Sequence, residues 1–303
     1  MLSFLPKPLV GIIAFFLYGF FSCLLATMFF ILLFIWFITP IKPWRRFLYQ
    51  HMINIPSLWS EVIRLTMWLT TKTKFTVTGL ENVNKKNSYL LIANHQTWLD
   101  VLIMQRIFDR YTPQLRYFMK QELIWVPIIG QACWLLGYPF MKRHSVAYLK
   151  KHPEHRNKDI ETTRKACERF RNTPITLINY VEGTRVSPEK QKAQKSPYRY
   201  LLKPKAGGIS LIMSALRGQV NTILNVTIVY GIEKNIMWNF LQGNLKEVIV
   251  HVELISIPES LLGDYQNDPE FKARFQQWLN HLWTEKDQRI AELKTQVEYL
   301  RKK

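Results

Sequence analysis

A chain of 303 residues has room for one catalytic domain of about 200 residues plus appendages. With 48% hydrophobic and 21% charged residues it can build a core, which excludes a wholly disordered chain. Its net charge of +19, from 41 Lys+Arg against 22 Asp+Glu, calls for a polyanionic partner: nucleic acid, an anionic membrane face or phosphorylated substrates.

The N-terminus chooses among these. Leu9 to Ile38 is thirty residues without a formal charge. As a helix it would reach about 45 Å, more than the roughly 30 Å that an upright span needs. It reads as one tilted helix, or as two short helices dipping into one leaflet with a break near Gly19-Phe20. The run is too long for a signal-peptide core and has no small-x-small exit. Lys42, Arg45 and Arg46 follow it while only Lys7 precedes, so the rest of the chain is expected on the cytoplasmic face. The expected setting is a membrane, with membrane lipid rather than nucleic acid as the polyanion.

Beyond the anchor, Leu58–Thr71 reads as a helix and Phe75–Gly79 as a strand with a turn. Tyr89–Ala93 is a continuous apolar run of the kind buried strands show. Trp98–Phe108 has helical spacing, and Leu115–Met119 reads as a short strand. Leu123 to Met141 is a second uncharged stretch, of nineteen residues. A single crossing there would put His95 and Glu182 on opposite sides of the membrane, and Pro127, Gly130 and Gly137 interrupt it. A half-immersed helix followed by a strand is expected instead. Lys158–Phe170 reads as an amphipathic helix, Ile175–Val181 as a buried strand, Gly208–Leu216 as a helix, and Ile223–Tyr230 and Val248–Ile255 as strands. Strands alternating with helices predict an α/β domain with a central, mostly parallel sheet flanked by helices. Phe271–Lys303 reads as a helical tail. The expected organisation is an anchor and basic linker over 1–57, a catalytic domain over 58–260 and a helical extension over 261–303.

Two basic stretches, His144–Lys158 and Lys190–Lys205, read either as solvated loops or as contacts for anionic lipid or an acidic acyl donor. Cys23, Cys133 and Cys167 are odd in number, far apart and without CxxC spacing, which argues against a disulfide framework or a zinc site.

The chemistry gathers at Asn94-His95-Gln96-Thr97-Trp98-Leu99-Asp100. Positions five apart on a regular helix lie about 140° apart and do not meet. His95 and Asp100 meet only if His95 stands before the helix and Asp100 lies in its first turns. In such a pair Asp100 fixes the imidazole tautomer, and His95 takes a proton from an alcohol. No GxSxG nucleophile motif occurs, so direct transfer without a covalent enzyme intermediate is expected. Glu182-Gly183-Thr184-Arg185 follows a buried strand. Gly183 lets backbone approach a ligand, Arg185 offers a planar fork for phosphate, and Glu182 is placed to hold a substrate hydroxyl or Arg185 itself.

Three ordered runs, Asn94…Asp100, Gly137…Phe140…Arg143 and Glu182…Arg185, resemble the NHxxxxD, GxxFxxR and EGTR motifs of the glycerolipid acyltransferase family, which includes 1-acylglycerol-3-phosphate acyltransferases. The resemblance covers roughly residues 75 to 255. Val181 before the glutamate, the proline-free run Asn225–Tyr230 and Leu202-Lys203-Pro204 look most like the YihG-type bacterial subgroup. The resemblance implies that His95 is the base and Asp100 its partner. Lys120, Arg143, Glu182, Gly183, Thr184 and Arg185 would then bind substrate. It also implies acyl-CoA or acyl-acyl-carrier-protein as cosubstrate, a lysophospholipid acceptor, and neither metal nor cofactor. The expected acceptor is lysophosphatidic acid, with another lysophospholipid as the alternative. A non-catalytic basic membrane protein would leave all three runs unexplained.

Overall fold

The computed structural model describes residues 2, 4–141, 165 and 173–302. Arg143, Cys167, nearly all of the expected helix Lys158–Phe170 and the basic stretch His144–Lys158 lie outside the described residues. Two long helices come first. α1 (Lys7–Ile38) starts with a proline in its first turn, where a missing N–H costs nothing. Among the described residues it is the one helix long and apolar enough to cross a membrane. It runs through Gly19 without a break.

α2 (Lys42–Thr70) returns antiparallel to α1, with Trp59 Nε1 donating to Ser22 Oγ at 3.1 Å and Leu2 N to Leu69 O at 3.1 Å. The sequence reading starts this helix at Leu58; the structure starts it at Lys42, and it continues through Pro56. The proline leaves the Met52 carbonyl, four residues back, without its helical donor; side-chain donors reach neighbouring carbonyls, Gln114 Nε2 that of Ile53, and Ser60 Oγ and Gln105 Nε2 that of Pro56.

The hairpin is bound to the domain along much of its length. Near one end, Gly11 lies so close to Trp238 and Gln242 that an added Cβ would stand 2.9 Å from the Gln242 side chain. Further along, Leu25 and Phe29 pack with Met52, Ile55 and Ala132. From Gly11 to Phe29 is about 27 Å of helix. Phe15, Phe16, Phe20, Leu24, Ile31 and Phe34 remain exposed.

The sheet has the order β1-β8-β7-β2-β6-β3, formed by β1 (Lys74–Thr78), β2 (Ser88–Ala93), β3 (Leu115–Tyr117), β6 (Thr176–Asn179), β7 (Val220–Tyr230) and β8 (Glu247–Ser256). All pairings are parallel except β7 with β8. β4 (Met119–Lys120) and β5 (Phe140–Met141) form a small parallel pair of their own. Between them the uncharged stretch breaks into a 3-10 turn (Gln121–Trp125) and the short helix α4 (Ile129–Leu135).

Helices cover both faces, so β2 is apolar from Tyr89 to Ala93 rather than alternating. Leu91 and Ala93 face one core, with Leu99, Ile103 and Phe108 of α3 (Leu99–Phe108). Leu90 and Ile92 face the other core. There they meet Ile209 and Ile212 of α6 (Ala206–Ala215) and Leu279 and Trp283 of α8 (Pro269–Lys302). Two short α-helices, α5 (Pro188–Gln194) and α7 (Ile236–Leu241), and a 3-10 turn (Glu259–Leu261) complete the described part.

Candidate active site

The centre forms where β2 hands over to α3. β2 ends at Ala93, and Asn94 then continues the pairing with its side chain. Its Nδ2 donates to Ile228 O and its Oδ1 accepts from Ile228 N, both at 2.9 Å. Gln96 Nε2 donates to the same carbonyl at 2.8 Å. Two amide side chains therefore clamp the turn to β7, and His95 projects from between them, ahead of the helix.

Asp100 lies in the first turn of α3, completely buried. Its Oδ2 accepts from Gln96 N at 2.6 Å, Thr97 N at 3.0 Å and His95 Nδ1 at 2.7 Å. Its Oδ1 accepts from Tyr230 Oη at 2.5 Å. An oxygen already taking two backbone N–H groups acts as an acceptor, so His95 Nδ1 must be the donor. That leaves the Nε2 lone pair to act as a base. Tyr180 stacks on the imidazole at 4.0 Å between centroids, with 16° between planes. Burial first, and the Asp100 charge second, hold the Tyr180 and Tyr230 phenols well above the ordinary tyrosine range. Tyr230 thus stays a donor to the carboxylate.

The second motif is joined to the first through backbone: Val186 N donates to His95 O at 2.8 Å. Gly183 makes the turn possible. Its φ is +74°, and its N–H returns to Tyr180 O at 2.8 Å. Lys190 Nζ braces the run by donating to Thr184 Oγ1 at 2.8 Å and Arg185 O at 2.9 Å. The Arg185 guanidinium lies over the Trp98 ring, 5.0 Å from its centroid. Glu182 departs from the sequence reading. It is fully buried, does not line the cavity, and accepts from Leu202 N at 3.2 Å. A side chain so placed supports the site from behind and does not hold a substrate hydroxyl or Arg185. Burial pushes its carboxyl up to about 8, against the pull of the Leu202 and His95 amides and of Lys286.

A cavity of about 520 Å³ opens beside His95, within the ~300–1,000 Å³ usual for small-molecule sites. One part is polar, with His95, Lys120, Thr184 and Arg185. The rest is apolar and runs between the hairpin and α4, past Leu25, Phe29, Ile55, Ala132 and Leu136. The structure thus brings His95, Asp100, Lys120, Gly183, Thr184 and Arg185 to one place. Sequence reading missed Tyr180 and Tyr230. Tyr230 is 130 positions from Asp100, and only the β2–β7 register brings it near. Among the described residues no cluster of His, Cys, Asp or Glu forms that would hold a metal ion.

A His–Asp base at the mouth of an apolar cavity, with cations beside it, is a site for proton abstraction and group transfer on an amphiphile. The family model described as Acyltransferase matches residues 74–231, more than half the chain. The chain belongs to the acyltransferase family. It is similar to 1-acyl-sn-glycerol-3-phosphate acyltransferase gamma of Mus musculus, with 28% identity over 244 residues, covering 76% of this chain and 60% of the mouse protein. The Arabidopsis thaliana 1-acyl-sn-glycerol-3-phosphate acyltransferase 3 is 29% identical over 210 residues, covering 63% of this chain and 52% of that protein. The chain therefore spans somewhat more than half the length of these curated relatives. Among solved structures, the 1-acyl-sn-glycerophosphate (LPA) acyltransferase PlsC from Thermotoga maritima matches over 98% of each chain, with a TM-score of 0.52 and 16% identity. The two share a fold.

Proposed function

We propose that the protein is a membrane-bound O-acyltransferase. It moves a fatty acyl group from a thioester to the free hydroxyl of lysophosphatidic acid, giving phosphatidic acid. The observation that carries this reading is the meeting, at one cavity, of the His95–Asp100 pair, two cations and an apolar channel walled by the hairpin. The names of the relatives agree with it.

In this reading the acceptor phosphate meets Arg185 and Lys120. His95 Nε2 takes the proton of the glycerol hydroxyl as its oxygen attacks the thioester carbonyl. The tetrahedral intermediate collapses by breaking the C–S bond, and the departing thiolate takes its proton from the imidazolium. Asp100 stabilises that imidazolium. No cofactor or metal enters a step; acyl-CoA or acyl-acyl-carrier-protein is a cosubstrate. The exposed aromatic and aliphatic side of α1 meets lipid, while its other side is held by the domain. A bacterial inner membrane with the domain on the cytoplasmic face fits the basic residues after α1. The YihG-type likeness rests on Val181, Asn225–Tyr230 and Leu202-Lys203-Pro204. The test is an acceptor panel with one acyl-CoA donor and the purified protein. Phosphatidic acid should form fastest. Preference for a lysophospholipid with a larger headgroup would move the protein to phospholipid remodelling, and transfer to no lysolipid would overturn the reading.

A further inference from the structure

His95 is touched by two side chains from two directions. Asp100 Oδ2 meets its Nδ1 at the ring edge, at 2.7 Å. Tyr180 lies over its ring face, with 4.0 Å between centroids and 16° between planes. The stack is set by backbone. β2 and β6 are neighbouring parallel strands, with Ile92 paired to Asn179. His95 comes two residues after β2 ends and Tyr180 one residue after β6 ends, so the two strands release the rings side by side. Beyond the strands, Val186 N donates to His95 O and Gly183 N to Tyr180 O, both at 2.8 Å.

The phenol oxygen is not what makes this contact. Among the described residues Tyr180 Oη is buried without a hydrogen-bond partner, whereas Tyr230 Oη donates to Asp100. What Tyr180 offers His95 is the face of its ring. That face matters because His95 must become a cation in surroundings that resist one. Its side chain is only 16% exposed, and Lys120 and Arg185 line the same cavity. Desolvation and both cations oppose an imidazolium. Asp100 offsets them from the ring edge. An aromatic face carries negative potential and attracts a cation placed over it, most strongly where water is excluded. Tyr117 also lines the cavity, and Tyr230 stands behind Asp100. Burial first of all holds the Tyr117, Tyr180 and Tyr230 phenols well above the ordinary tyrosine range, so none of them adds a charge.

We propose that Tyr180 is a positioning residue for proton transfer: its ring face, stacked on His95, orients the imidazole and stabilises the imidazolium that forms as the acceptor hydroxyl loses its proton. Asp100 supports that cation from the edge and Tyr180 from above. The kinetic arm of the test rests on the acyl-transfer reading; the spectroscopic arm does not.

The test compares two full-length proteins in detergent micelles, Tyr180→Phe and a protein with ring-trifluorinated phenylalanine at the same position. The two rings have nearly the same shape, but fluorine removes the negative potential of the face. Tyr180→Phe should keep a kcat close to that of the wild type; a large loss would give the role to the hydroxyl and overturn the proposal. Against Tyr180→Phe, the fluorinated ring should lower kcat by roughly three- to thirtyfold with KM for lysophosphatidic acid little changed. The acid limb of its profile should move to lower pH, because the imidazolium has lost support. Equal kcat and an unmoved limb would overturn the proposal. A ¹⁵N NMR titration of the His95 ring reads the same effect without turnover: the midpoint should fall by roughly half a unit to one and a half units with the fluorinated ring. An unchanged midpoint would overturn the proposal even if the wild-type protein transfers no acyl group. Tyr180→Leu is the second variant, should the fluorinated protein fail to fold, and its midpoint should also fall. Water entering a damaged site would raise the midpoint instead, and a rise would refute the stacking role.

Discussion

Asp100→Asn is the most discriminating change at the centre. Asn has the shape of Asp but one oxygen. At Oδ2 two backbone N–H groups, of Gln96 and Thr97, already point inward, so the variant's carbonyl oxygen must sit there and its NH2 must face Tyr230. The same oxygen still accepts from His95 Nδ1, and the tautomer survives. What is lost is the negative charge beside the imidazolium. Two charges about 4 Å apart at an effective dielectric near 20 interact by about 4 kcal/mol, which corresponds to ~10³ in rate. The same substitution in a serine-protease triad costs ~10⁴, through a wrong tautomer. The measurement is phosphatidic acid formation from a labelled acyl thioester in detergent micelles, with ¹⁵N NMR of the His95 ring alongside. A loss near 10³ with Nδ1 still protonated is expected. Wild-type rate, or a ring protonated at Nε2, would refute the reasoning.

Three further substitutions probe the surroundings. Arg185→Lys keeps the charge and loses the planar fork, so the KM for lysophosphatidic acid should rise while that for the donor stays; parallel changes in both would contradict the phosphate role. Gly183→Ala forces a side chain into φ +74°, which costs ~1–2 kcal/mol and should lower the melting temperature by several degrees; an unchanged melt would mean the turn is not strained. Tyr230→Phe removes the donor to the Asp100 carboxylate, a bond to a charged group worth ~1.5–3 kcal/mol, so kcat should fall by no more than about a hundredfold, and a greater loss would give the phenol a role beyond holding the carboxylate.

Much of the fold is legible in the sequence because its strands are short, apolar and bounded by turn residues. Tyr89–Ala93 reads as a buried strand and Ile223–Tyr230 and Val248–Ile255 as strands, and the structure has them as β2, β7 and β8. The mixed sheet flanked by helices follows. The first half of α2 went unread because what holds it is tertiary: Met52 and Ile55 pack on Leu25 and Phe29, and Gln114 donates to Ile53 O. Glu182 misled for a related reason. Its neighbours in sequence, Gly183 and Arg185, face the cavity, but burial of a single carboxylate depends on the loop at Leu202. The spacing of His95 and Asp100 did carry a structural consequence, since only a histidine outside the helix can reach that aspartate.

The central claim is that His95 is the base that activates an acceptor hydroxyl for direct attack on an acyl thioester. It is tested most directly by comparing wild type with His95→Ala, both purified from membranes, for phosphatidic acid formation from lysophosphatidic acid and acyl-CoA. Transfer by the wild type, and none detectable by a folded, membrane-bound His95→Ala protein, is the predicted result. Near-normal transfer by the variant would contradict the account.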